Sequence, residues 1–148
     1  MASKPRILLD ASALIAGLAS PTGGSNVILS LAEAELVAIV VSEQVLAEAE
    51  RTLHNKLPKA VVEYRRLLAA GSLEIVADPL DAEVAAAAEI IHPKDAPILA
   101  AAMACHVDYV VTLDRKHFLD DPHVARRSGL RIGTPGDFLA WFREQLER

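Results

Sequence analysis

Five short apolar runs alternate with longer amphipathic segments along this chain: PRILLD at 5–10, VAIVV at 37–41, LEIVA at 73–77, VDYVVTL at 107–113 and LRIG at 130–133. Successive runs are joined by helix-period sequence rather than by two-residue turns. A strand that returns through a helix pairs in parallel with its predecessor, because hairpins serve only antiparallel neighbours. The order of patterns therefore dictates an α/β protein with a parallel sheet covered on both faces.

The punctuation between runs supports this reading. Ser20-Pro21 breaks a first helical segment, ASALIAGLASP, and Ser25 is the expected N-cap of NVILSLAEAE. Ser42 is placed to cap EQVLAEAERTLHNKL, which Pro58 ends. KAVVEYRRLLAA stops at Gly71, and Asp78-Pro79 separates the third run from the alanine-rich DAEVAAAAEII. His92-Pro93 closes that segment, and Asp95 opens a helix expected to reach His106. A charged loop with Asp120, Asp121 and Pro122 follows the fourth run, and Thr134-Pro135 starts the last helix.

The 148 residues fit a single domain spanning 1–148, with no internal repeat or linker. Apolar residues make up 52% of the chain, yet they are scattered, and the longest β-type stretch, ELVAIVVSE, falls far short of a membrane span. In MASKPRILLDAS, Asp10 interrupts the apolar stretch before it reaches signal-peptide length. Cys105 is the sole cysteine, which excludes an internal disulfide or a multi-thiolate metal site. A soluble, cytoplasmic protein without membrane contact is expected. The net charge of −5 argues against a surface that coats nucleic acid, although basic residues gather at His54, Lys56, Lys59, Arg65 and Arg66 and again at Arg115, Lys116, Arg126, Arg127 and Arg131.

Acidic residues at the edges of these elements are the candidates for chemistry. Asp10 and Asp114 end apolar runs, and Asp95 begins a helix. Ligands of open parallel sheets bind where strand ends converge. Carboxylates gathered there repel one another and call for protons or a cation, and oxygen donors suit Mg²⁺ or Mn²⁺. Capping alone accounts for Asp10 and Asp95 about as well, whereas Asp114 follows a nearly all-apolar run and is better explained by a functional partner. Glu48 lies no nearer the buried stripe of its helix than Glu50, so periodicity leaves both as surface residues. The five histidines lack soft-metal spacing, but His117, just past Asp114, is close enough in sequence to reach the same crevice. Cys105 reads as core.

Taken in order, ILLDASALIAGL, SEQVLAEAERTL, KDAPILAAAMACHVDYVVTLDRKHF and IGTPGDFL resemble the PIN-domain nucleases over nearly the whole chain. The resemblance implies a three-layer α/β/α sandwich whose central, mostly parallel sheet has four to five strands. It implies that Asp10, Glu48, Asp95 and Asp114 form the catalytic and metal-holding set, Glu48 being selected over Glu50 by its distance from the serine in SEQVLAE. Ser12 and Thr112 match hydroxyls that orient these acids, and Arg115, Lys116 and His117 are candidates for holding substrate phosphates. Many members carry another acidic residue shortly after the TxD element, where this chain has RKHF. The implied activity is Mg²⁺- or Mn²⁺-dependent cleavage of single-stranded RNA by water activated on the metal. A toxin role with a protein antitoxin, and a homodimer, are further implications.

Two other classes compete. A different Mg²⁺-dependent phosphohydrolase also uses carboxylates at strand ends, but no DxDx[TV] element follows the first run, and a receiver domain needs an acidic pair where only Asp10 stands. A catalytically weak RNA-binding or protein-interaction module retains the fold without turnover.

Overall fold

The computed structural model describes residues 3–148. Met1 and Ala2, at the head of the segment read for a leader, lie outside the described residues. Five parallel strands form one sheet: β1 (Arg6–Leu9), β2 (Ala38–Ser42), β3 (Leu73–Val76), β4 (Tyr109–Val111) and β5 (Ile132–Gly133), in the order β3-β2-β1-β4-β5. The chain builds outward from β1 to β3 on one side, then returns to lay β4 and β5 on the other. That reversal puts a topological switch point between β1 and β4, where Leu9 pairs with Val111 and Asp10 N–H donates to the Val111 carbonyl at 3.3 Å.

Side chains alternate between the two faces of a strand, so full burial of consecutive residues means that both faces are covered. Ile7, Leu8 and Leu9 of β1 and Ile39, Val40 and Val41 of β2 are all at 0% exposure. β3 is different. Glu74 and Ile75 are exposed, as suits an edge strand, and Glu74 pairs with Arg6 at 2.9 Å.

The helices are α1 (Ala11–Ala19), α2 (Gly24–Glu33), α3 (Glu43–Lys56), α4 (Val61–Ala69), α5 (Asp81–Ala87), α6 (Ala96–Ala104), α7 (Pro122–Ser128) and α8 (Pro135–Leu146). Ser42 caps α3 as expected, its hydroxyl accepting Val45 N–H at 3.2 Å. Pro58 opens a single 3₁₀ turn before α4, and Gly71 takes the left-handed conformation at φ +70°.

Three local expectations are corrected. Ser25 is not the cap of α2: Gly23 occupies that position, and Ser25 lies inside the helix, buried, with its hydroxyl unpartnered among the described residues. The helix from Asp95 stops at Ala104, and His106 turns the chain at φ +52°. The charged segment after β4 is not a plain loop. A π-helical turn, Arg115–Leu119, and α7 occupy it, anchored by buried Phe118 and Val124.

Candidate metal centre

Asp10 leaves the end of β1 and serves two structures at once. Its Oδ1 accepts the Ala13 N–H at 2.9 Å, capping α1, and the Ser12 hydroxyl at 2.6 Å. Its Oδ2 accepts the hydroxyl of Thr112, which stands just beyond β4. Each hydroxyl then accepts a backbone N–H on the far side, Leu113 N–H to Ser12 Oγ at 3.2 Å and Asp114 N–H to Thr112 Oγ1 at 2.9 Å. Ser12 and Thr112 thus stitch the end of β1 to the end of β4. Their protons are committed to a carboxylate that is only 7% exposed.

Burial pushes the Asp10 carboxyl above its ordinary value, the bonds from Ser12, Thr112 and Ala13 pull it back, and the nearby Asp114 charge raises it again. Desolvation wins, because the charged form has lost its water and gained only three donors.

Asp114 caps the π-helical turn by accepting His117 N–H at 3.2 Å. That turn folds the His117 ring back over the crevice, where Nδ1 lies 3.4 Å from Asp114 Oδ2 and 2.5 Å from Asp95 Oδ2. Asp95 precedes α6 but does not cap it, having no side-chain bond to the first turn. Its Oδ2 is shielded from solvent and has no aligned hydrogen bond, in spite of the close imidazole. The two atoms are near, but not in line for donation.

A shielded carboxylate oxygen without a donor is costly unless a cation meets it. Asp95 offers such an oxygen at the switch point, and the ligand atoms of His92, Asp95 and His117 lie close enough to share one ion, with the Asp114 carboxylate 3.4 Å from the His117 ring. The residues present therefore fit such an ion.

Glu48 stands apart. It is exposed on α3 between buried Val45 and Ala49, and it makes no hydrogen bond or ion pair among the described residues. Glu50 has another occupation beside Tyr64 of α4, whose hydroxyl is pushed up first by burial and then by the Glu50 charge. Both glutamates are exposed on α3.

His92 was not singled out in the sequence. Its ring stacks on His117 with centroids 4.6 Å apart and planes 17° apart, and His92, Asp95 and His117 bring ligand atoms within 4.8 Å of one another. The readable signal was its position three residues before Asp95, in the tight turn that Pro93 enforces.

The basic residues also sort themselves. Arg66 is held by Glu63 and Glu33, Arg127 by the Glu89 carbonyl, and Arg131 lies over the Trp141 ring at 5.2 Å. Arg115 and Lys116 are exposed beside Asp114 and make no ion pair among the described residues. Cys105 is half-buried, and burial pushes its thiol up, so it is no nucleophile.

Comparison with known proteins follows the same lines. The family described as "PIN domain" matches residues 6–116, from β1 through Asp114 and into the π-helical turn. No curated protein sequence matches the chain. Among solved structures, PAE2754 from Pyrobaculum aerophilum is similar at a TM-score of 0.63 and 18% identity, covering 95% of this chain and 90% of that one. VapBC2 from Rickettsia felis, solved bound to a DNA fragment from its promoter, is similar at a TM-score of 0.61 and 19% identity, covering 87% of this chain and 98% of the other. At such identities these two likenesses speak for the fold.

Proposed function

The chain belongs to the PIN domain family, and from that membership we propose that it is a divalent-metal-dependent endoribonuclease cleaving single-stranded RNA. The observation that carries this reading is the acidic crevice at the switch point. Asp10 is buried and tied through Thr112 to the segment bearing Asp114, and Asp114 meets Asp95 at the His117 ring. Asp10, Asp95 and Asp114 would hold Mg²⁺ or Mn²⁺. A bound divalent ion supplies two things there, a lowered pKa for attacking water and charge to offset the phosphodiester oxygens.

The chain's own residues do the rest. Ser12 and Thr112 fix the Asp10 carboxylate so that it cannot turn away from the crevice. Arg115 and Lys116, exposed beside the acids, neutralise phosphates flanking the scissile one, and His117 borders the same crevice. Glu48, free of structural bonds, completes the acidic set by orienting water from α3. Attack by water leaves a 5′-phosphate and a 3′-hydroxyl.

The biological setting we propose is that of a cytoplasmic toxin restrained by a protein antitoxin and acting as a homodimer, within one domain spanning 1–148. It rests on the family resemblance and on the fold shared with VapBC2. No single helix among the described residues is long and apolar enough to cross a membrane.

The test is cleavage of mixed RNA and DNA oligonucleotides with Mg²⁺, Mn²⁺ or chelator. RNA should be cut only with a divalent ion, and Asp10→Asn should lose activity by about 100-fold, the upper end for damage to a metal site, while keeping its circular dichroism. Equal rates in wild type and Asp10→Asn would overturn the assignment. Hydrolysis of small phosphate esters but not RNA would indicate a different phosphohydrolase. One observation favours the binding-only alternative: after Asp114 the chain offers Arg115, Lys116 and His117 where many members offer another acid. RNA binding without cleavage in any divalent ion would select it.

A further inference from the structure

We propose that His117 is itself a metal ligand through Nδ1, giving the centre a mixed nitrogen–oxygen donor set that prefers a first-row transition ion such as Mn²⁺ over Mg²⁺. The inference rests on the metal-dependent reading above and extends it to the identity of the ion.

Two arrangements place an imidazole nitrogen against carboxylate oxygens. In a hydrogen bond, the N–H points along the line to the oxygen. Around a cation, donor atoms lie side by side and their lone pairs meet at a third point instead. Here Nδ1 is 2.5 Å from Asp95 Oδ2 and 3.4 Å from Asp114 Oδ2, and Asp95 Oδ2 has no aligned donor although it is shielded from water. Proximity without alignment leaves both lone pairs free to meet at a cation.

The surroundings hold the ring in that pose. The π-helical turn places His117 three residues past Asp114, and the His92 ring stacks on it at 4.6 Å. His92 Nδ1 accepts the Lys94 N–H at 3.1 Å, so its lone pair on that side is already used. An accepting Nδ1 places the neutral ring's proton on Nε2, so of the two histidines in the cluster His92 is a positioning residue for the His117 ring, and the nitrogen offered to a cation comes from His117.

Imidazole changes which ion is favoured. Carboxylate and water serve Mg²⁺ and Mn²⁺ alike, whereas an imidazole nitrogen adds affinity for first-row transition ions that Mg²⁺, a hard oxygen-seeking cation, does not share. The position just past Asp114, expected in this family to carry a carboxylate, thus supplies a softer donor from a neighbouring residue.

The experiment is pulsed electron paramagnetic resonance of the protein loaded with Mn²⁺, with Mn²⁺ and Mg²⁺ affinities measured alongside by competition. Wild type should show nitrogen-14 modulation from one imidazole. His117→Gln and His117→Asp should lose it, and His117→Asp should shift the Mn²⁺/Mg²⁺ preference towards Mg²⁺ by about 10-fold or more, since altering even an outer partner costs that much. Nitrogen modulation that persists in both variants would overturn the proposal. Tight Mn²⁺ binding and RNA cleavage by a wild type lacking nitrogen modulation would overturn it while leaving the nuclease reading intact. A wild type that binds no divalent ion would remove both.

Discussion

At the scale of single residues, Asp10 is a cap, a bridge between strand ends and a desolvated carboxyl. Its carboxyl is raised in the folded protein above its value in the unfolded chain, with burial as the leading cause. The folded state therefore binds the proton more tightly, and ionising Asp10 destabilises the metal-free fold. That penalty is absent below the unfolded value, grows as pH rises through the folded value, and is fully present above it. In chelator at pH 7, Asp10→Asn should accordingly be more stable than wild type in urea unfolding, the difference shrinking as pH falls towards 4. A constant difference across that range would contradict the account. The same double role explains what the sequence left open. For Asp10 the capping reading holds, and the bond to Thr112 adds a second role, while for Asp95 the capping reading is excluded by its unbonded side chain. Glu48 was illegible for a plainer reason: an exposed glutamate beside a buried stripe has no pattern of its own.

At the scale of elements, strand runs were legible because burial on both faces demands unbroken apolar sequence. Caps were less so. Ser25 carries the chemistry of a cap, yet it is drawn into α2 while Gly23, which has no side chain to bond, takes the end. The segment after β4 looked like loop because it is highly charged, and two buried residues, Phe118 and Val124, suffice to fold it into helical turns. β5 is short enough that one contact decides it. A Cβ at Gly133 would lie 2.6 Å from the Tyr109 hydroxyl and 2.7 Å from Asp137 Cβ, and Asp137 is fixed by its reciprocal bonds with Thr134 at the start of α8. Gly133→Ala should thus destabilise by about 1–3 kcal/mol, the usual effect of overpacking. Denaturant unfolding with an unchanged midpoint would show that β5 yields more readily than this packing allows.

At the scale of the whole molecule, the acidic crevice is a liability that a bound cation would relieve. Three carboxylates gather at one edge of a sheet in a chain whose net charge is already −5. An ion that binds only the folded state stabilises it by mass action, by about 2.7 kcal/mol at a free concentration 100 times its dissociation constant. Mn²⁺ should raise the unfolding free energy of wild type by about that amount and that of Asp114→Asn by clearly less. No change in wild type would mean that the crevice does not hold the ion. The parallel sheet followed from pattern and the layers from family resemblance. Periodicity alone specified parallel strands but not which of them would be neighbours.

The bond that joins Asp10 to Thr112 spans 102 positions of the polypeptide. A ribosome making this chain therefore releases the first acid of the crevice long before the last. Until residue 114 has emerged from the exit tunnel, no partial product contains the full constellation. The joining of β1 to β4, and with it the pairing of Asp10 with Thr112, must wait for that late segment however early the first strand leaves the ribosome.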